Sequence, residues 1–235
     1  MNQDRIVAEY RIRMNIDRPE KKIIEEFKNF PTACISDAYR RRQTLPSNIK
    51  PVWDVKHRVA GSVITVSGTP SDEILALKAI EIAQPGDVII VTGGYEASSS
   101  FWGGVMSTMA KVRGVAGLIT DGKIRDLADC RELEFPIWAT GVTPIAPTMD
   151  VPPGELNLPI TIGEVIIKPG DLVVADEDGV VVVPQKDIHS VRDAVNFRLE
   201  KEKQWLEKIY STEQMILKDV VDELLAKRNV EYLDK

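Results

Sequence analysis

The run Asp87-Val88-Ile89-Ile90-Val91-Thr92-Gly93-Gly94 constrains the fold of this chain more than any other. Its apolar residues are consecutive rather than alternating. A strand built from them needs apolar cover on both faces, as a parallel strand has inside a layered α/β protein. The glycines that end it suit a ligand loop at the strand's carboxyl end. Val115 to Thr120 predicts a second buried strand, and AGSVITVSG, β-branched and bounded by glycines, predicts another through Val66.

Helices are expected around these strands. Asp17-Arg18-Pro19-Glu20 reads as a helix start, with the helix running through Phe27; Phe30-Pro31-Thr32 breaks it. TACISDAYRRR then starts again, with Thr32 or Ser36 as the cap. Ser71-Asp72-Glu73 caps a helix whose Ile74, Leu75, Leu77, Ile80 and Ile82 cover most of its circumference, which predicts burial between layers. FPIWATGVTP predicts a short strand and turn, and Pro144 to Pro159 a surface loop. TIGEVIIKPGDLVVADEDGVVVVP is all β, with a tight hairpin turn at Glu177-Asp178-Gly179. Pro-Gly-Asp occurs at residues 85–87 and 169–171, which reads as two similar turns leading into strands rather than as a duplication.

From Gln185 onward Ile188, Val191, Val195, Leu199, Leu206, Ile209, Ile216, Val220 and Leu224 recur at three- and four-residue spacings, with a fresh cap at Ser211-Thr212-Glu213. The expected organisation is an α/β domain over residues 1–184 and a helical arm over residues 185–235. The apolar stripe of the arm docks either on its own domain or on a neighbouring subunit.

The net charge of -6, with both signs interspersed, argues against a nucleic-acid surface, which needs clustered cations facing phosphates. Arg40, Arg41 and Arg42 form the one dense basic run and read as a solvated helix end. Two cysteines are too few for a disulfide framework, and the opening MNQDRIVAEYRIRM has no apolar h-region, so a cytoplasmic protein is expected. No apolar run approaches the ~20 residues that span a bilayer. His57 and His189 stand apart from each other and from the cysteines, a poor basis for structural zinc or a serine–histidine triad.

Chemistry concentrates between Gly93 and Pro136. A helix opening at Gly103-Gly104 offers unpaired amides and a dipole end that favour an anion. In ITDGKIRD, Arg125 and Asp126 follow a buried strand and a glycine turn; Arg125 supplies a fork of donors and Asp126 a hard oxygen ligand. The same pair also reads as a surface ion pair, Asp121 as a turn residue, and Asp129 either as a helix cap or as an aid to a metal site.

In family order, TACISDA, PGDVIIV, FWGG, KVRGVAGLITDGKIRD, FPIWATGVTP and PGDLVVADEDGVVVVP resemble the family that groups the regulator of ribonuclease activity A with the metal-dependent 4-hydroxy-4-methyl-2-oxoglutarate aldolases. The likeness covers about residues 30–190. It implies a layered αββα-like sandwich, here with an added C-terminal helical arm, assembled as trimers or hexamers with the site near a subunit interface. It further implies a lyase that cleaves or decarboxylates a pyruvate-derived 2-oxo acid with Mg²⁺ or Mn²⁺. Asp126 would be the metal ligand, Arg125 would hold the enolate oxygen, and the helix start at Gly103, Gly104, Val105 and Met106 would bind the carboxylate, with Asp129 in support. The chain departs from the aldolase signature at Gly104, where that branch carries an acid twenty residues before Arg-Asp; Glu96 is the nearest replacement. The alternative that this departure implies is a non-catalytic regulator or binding protein. Such regulators tend to lose the Arg-Asp pair that this chain keeps.

Overall fold

Residues 10–68, 73–93, 98–147, 153–212 and 217–233 are described by a computed structural model. The chain divides into two units, Met1–Arg192 and Asp193–Lys235. The first opens with β1 (Tyr10–Ile12), α1 (Lys21–Phe27), α2 (Thr32–Ala38) and β2 (Lys50–Pro51). Three strand–helix–strand steps follow: β3 (Val59–Ser67), α3 (Ile74–Ile82), β4 (Val88–Thr92), α4 (Gly104–Arg113), β5 (Gly117–Thr120), β6 (Lys123–Ile124), α5 (Leu127–Glu132) and β7 (Ile137–Ala139). The remaining strands are β8 (Gly141–Val142), β9 (Gly154–Leu156), β10 (Ile160–Ile162), β11 (Val165–Ile167), β12 (Leu172–Asp176) and β13 (Gly179–Val183). The second unit holds most of α6 (Ile188–Thr212) and all of α7 (Lys218–Ala226).

The main sheet runs β1-β9-β3-β4-β5-β7-β2, with β3, β4, β5 and β7 parallel. Period two sends Ile89 and Val91 of β4 to one face and Val88 and Ile90 to the other, and both faces are packed. On the first face lie α3, α4 and α5, through Leu75, Ala79, Met106, Ala110 and Cys130. The second face meets a further β layer, the hairpins β10–β11 and β12–β13, through Ile162, Ile167, Val173 and Val182. On its far side that layer carries α2 against β13. The order helix, sheet, sheet, helix is the layered α/β sandwich that the unbroken apolar strands require, and the C-terminal helix is present.

The structure differs from the sequence reading in several places. α3 buries one face, at Leu75, Ala76, Ala79 and Ile80, while Ile74 and Leu77 are exposed, because only the sheet side of this helix is covered. Ser71 and Asp72 of its expected cap lie outside the described residues. Thr32 is the first residue of α2 and not its cap; its hydroxyl donates to Asp176. The proline-rich stretch contributes β9 to the sheet, and Asn157 beside it is buried. The two Pro-Gly-Asp turns are the same device: Asp87 accepts the Gln84 N–H and Asp171 the Lys168 N–H, each at 2.8 Å. In α7, Val220, Val221 and Leu224 are exposed, as is Leu217 just before it.

Asp176, at the end of β12, ties the outer layer together. Its carboxylate accepts the Thr32 N–H and hydroxyl, the Arg58 Nε–H at 3.1 Å and the Asp178 N–H at 3.1 Å. Burial opposes its charge, but these donors outweigh burial and hold the carboxyl below its ordinary value. A lowered folded pKa gives stability that is present above the unfolded value of about 3.9 and lost as pH falls through the folded value. Asp176→Asn is therefore expected to cost about 1–3 kcal/mol near neutral pH. In denaturant melts its gap to the parent should narrow below about pH 4.

Candidate active site

Arg125 and Asp126 stand beyond the carboxyl end of β5, where layered α/β proteins place their sites. β6 delivers them. It pairs in parallel with β8, bridges to Ser100, and accepts the Thr143 N–H on the Ile124 carbonyl at 2.9 Å. Arg125 N–H donates to the Trp102 carbonyl at 2.9 Å, which sets the start of α4 against the start of α5.

Asp126 is left-handed, with φ 55°, at the cap position of α5. Short polar side chains tolerate that conformation better than most. Its Oδ2 accepts the Gly104 N–H at 3.1 Å and lies 3.5 Å from Arg125 Nε, which is buried and has no hydrogen-bond partner among the described residues. The two glycines make room for this arrangement. A Cβ at Gly103 would lie 2.4 Å from Asp126 Oδ2, and one at Gly104 would lie 2.9 Å from Asp129 Oδ2. Carboxylates from α5 thus occupy the space that α4 leaves free.

Behind the site, Trp102 Nε1–H donates to Ser107 Oγ at 2.9 Å, and Ser107 Oγ is 3.3 Å from Cys130 Sγ. All three residues are fully buried. Burial foremost pushes the Cys130 thiol up; the Ser107 hydrogen bond opposes this, and the charges of Asp126 and Asp129 add to it. The thiol stays protonated and joins the two helix starts. Sequence reasoning missed Ser107 and Cys130, because neither belongs to a local motif.

The structure brings Arg125, Asp126, Asp129, Gly103 and Gly104 together. Val105 turns its side chain to solvent and Met106 turns its own to the core, so both offer the site only backbone. Their N–H groups have no acceptor among the described residues, whereas that of Gly104 is taken by Asp126. Asp129 likewise has neither ion pair nor hydrogen-bond partner for its carboxylate among the described residues. Asp121 is anchored by the Thr92 hydroxyl at 2.7 Å. Glu96 lies outside the described residues.

Two carboxylates beside a single guanidinium leave negative charge that a divalent cation would balance, and an orphaned Arg125 donor suits an anionic oxygen. No third His, Cys, Asp or Glu completes a metal-sized group among the described residues. Mg²⁺ does not require one, since it is commonly held by one or two carboxylates with water and substrate filling the rest.

Residues 32–182 match the family model described as RraA-like, Aldolase/RraA. The chain belongs to this family. A putative 4-hydroxy-4-methyl-2-oxoglutarate aldolase of Halalkalibacterium halodurans is 39% identical over 170 residues, covering 72% of this chain and 80% of that protein. A 4-hydroxy-4-methyl-2-oxoglutarate aldolase of Thermus thermophilus is 30% identical, covering 66% of this chain and 92% of that protein. Among solved structures, Streptomyces coelicolor RraAS2, described as an unusual member of the RNase ES inhibitor RraA protein family, superposes with a TM-score of 0.69 at 30% identity. It covers 81% of this chain and 99% of its own. The aldolase/RraA fold therefore carries relatives named for a small-molecule reaction and relatives named for inhibition of a ribonuclease.

In this family member the glycine pair is the local test of the geometry. Gly103→Ala would drive a methyl into Asp126 and break its bond to the α4 start. A loss of about 1–3 kcal/mol is expected, seen as a lower denaturant midpoint with unchanged slope.

Proposed function

We propose that this protein is a cytoplasmic, divalent-metal-dependent lyase that cleaves or decarboxylates a pyruvate-derived 2-oxo acid, of the 4-hydroxy-4-methyl-2-oxoglutarate aldolase or oxaloacetate decarboxylase type. The observation that carries this reading is the convergence of Arg125, Asp126 and Asp129 on the amide-lined start of α4. The names of the aldolase relatives support the reaction class.

In this reading Asp126 would hold Mg²⁺ or Mn²⁺, with Asp129 adding a second carboxylate from the same side. Bound there, the metal would supply Lewis-acid polarisation of the 2-oxo group. The free amides of Val105 and Met106, at the positive end of α4, bind and orient the substrate carboxylate. Arg125 donates to the 2-oxo oxygen as the bond beyond C3 breaks and its electron pair moves toward that oxygen. Charge that develops only in the transition state is thus met by a donor already in place. In cleavage of a 4-hydroxy substrate, the hydroxyl proton leaves as the new carbonyl forms, and Asp129 is the carboxylate placed to accept it. The replacement of an acid by Gly104 is compatible with this chemistry, because Asp129 fills the place that a side chain at position 104 would take.

A homo-oligomer, trimer or hexamer, belongs to the same proposal. Val105, Met109 and Val112 form an exposed apolar stripe along α4, and Val112 is 82% exposed. The site itself lies open at the surface, with Asp126 and Asp129 both exposed, so a neighbouring subunit would give it a wall. Val112→Asp is expected to shift the protein to a smaller species in size-exclusion chromatography with light scattering. No helix among the described residues is long and apolar enough to cross a membrane.

Pyruvate release from oxaloacetate and from 4-hydroxy-4-methyl-2-oxoglutarate tests the lyase. Turnover is expected with added Mg²⁺ or Mn²⁺, beyond the rate of metal alone, and should vanish with chelator. Asp126→Ala should lose about 10²-fold or more; turnover undiminished in that variant would refute the mechanism. A second reading, a non-catalytic regulator, is favoured by Gly104 and by the likeness to RraAS2. It predicts no turnover of either substrate and capture of an RNA-degrading endonuclease instead.

A further inference from the structure

A cavity of about 400 Å³ lies between α1, β3 and the turn that precedes β4. That turn is at the amino end of β4, whereas Arg125 follows the carboxyl end of β5, and the two strands are parallel. The cavity and the Arg125 site are therefore at opposite ends of the sheet. Its volume is that of a small-molecule pocket.

Among the described residues, two polar groups in its lining lack partners. Ala60 and Ser62, two apart on β3, both line the cavity, so the pleat directs Ser62 to this side of the sheet. Ser62 is 1% exposed, yet its hydroxyl makes no hydrogen bond among the described residues. Buried hydroxyls are nearly always paired, and one left unpaired works against the fold. Lys21, on the α1 wall, has no ion pair or hydrogen bond among the described residues.

The other two cations of the lining, Arg18 and Lys28, are held in place. Arg18 Nε–H and Nη2–H donate to the two oxygens of Asp87 at 2.9 and 2.8 Å, and Nη1–H reaches the Ile16 carbonyl at 3.4 Å. A guanidinium has five N–H donors, so two remain. Lys28 is balanced by Glu25 at 2.5 Å. Arg18, Lys21 and Lys28 against Glu25 and Asp87 leave one net positive charge, in a chain whose net charge is -6.

We propose that this cavity binds the carboxylate or phosphate group of a small organic acid. Lys21 and the spare donors of Arg18 hold the anion, and the Ser62 hydroxyl donates to one of its oxygens. The bound anion bridges α1, β3 and the turn before β4, so this site acts apart from the Arg125 site and does not depend on its chemistry.

Isothermal titration of the full chain with inorganic phosphate and, separately, with acetate tests the proposal. Binding of at least one is expected; tighter phosphate assigns a phosphate ester and tighter acetate a carboxylic acid. Lys21→Met and Ser62→Ala should each weaken it about tenfold. Asp126→Asn should leave intact the binding that these two variants remove, which separates this cavity from the first site. Without anion, Ser62→Ala should melt no lower than the parent, since it removes an unpartnered hydroxyl. The proposal is overturned if neither anion binds, if the Lys21→Met, Ser62→Ala double variant binds like the parent, or if Asp126→Asn abolishes binding. A lower melting temperature for unliganded Ser62→Ala would also overturn it, by showing that the hydroxyl already has a structural partner.

Discussion

The bond from the Gly104 N–H to the Asp126 carboxylate joins the beginnings of two helices that leave different strands. It depends on what is missing. Any side chain at Gly103 would stand where Asp126 Oδ2 stands, and any at Gly104 would press on Asp129. A helix start with free amides and a pair of carboxylates attract different charges, so bringing them together creates a place for an anion and a cation side by side. The buried Trp102, Ser107 and Cys130 contacts keep this junction in register from behind.

The layers explain why the junction can be held. β4 is buried on both faces, by helices on one side and by a second β layer on the other. Such a strand has no soft side on which to shift, so the loops at its carboxyl end and at that of β5 start from fixed points. The Pro-Gly-Asp turns do comparable work at the other ends of β4 and β12. Each buried aspartate closes its own turn, and Asp87 additionally fixes Arg18 beside the cavity between α1 and β3. In Asp171 burial raises the carboxyl, against the pull of its backbone donors, which marks how enclosed these turns are.

Legibility followed the range of the interaction. Strands with consecutive apolar residues were readable because their pattern states their own environment, as at Val88 to Val91. The hairpin at Asp176 to Gly179 was readable because turn chemistry is local. α3 reads as buried between layers because apolar residues cover most of its circumference, but five apolar residues do not say how many neighbours will cover them, and Ile74 and Leu77 remain exposed. β9 was missed among prolines because its pairing with β3 and β1 is supplied from far along the chain. Thr32 reads as a helix cap in isolation, but Asp176, 144 residues later, takes its hydroxyl.

The sequence by itself determined the family, the layered α/β class and the candidate residues Arg125, Asp126 and the glycine pair. These reside in contiguous motifs whose chemistry is intrinsic to the residues. Only the tertiary structure decided that Asp129 fills the space beside Gly104, that Gly104's amide is already engaged, and that Ser62 of β3 is left without a partner among the described residues. Each is a matter of distance between groups from separate elements. Such distances are set by packing of the whole, which no local spacing encodes.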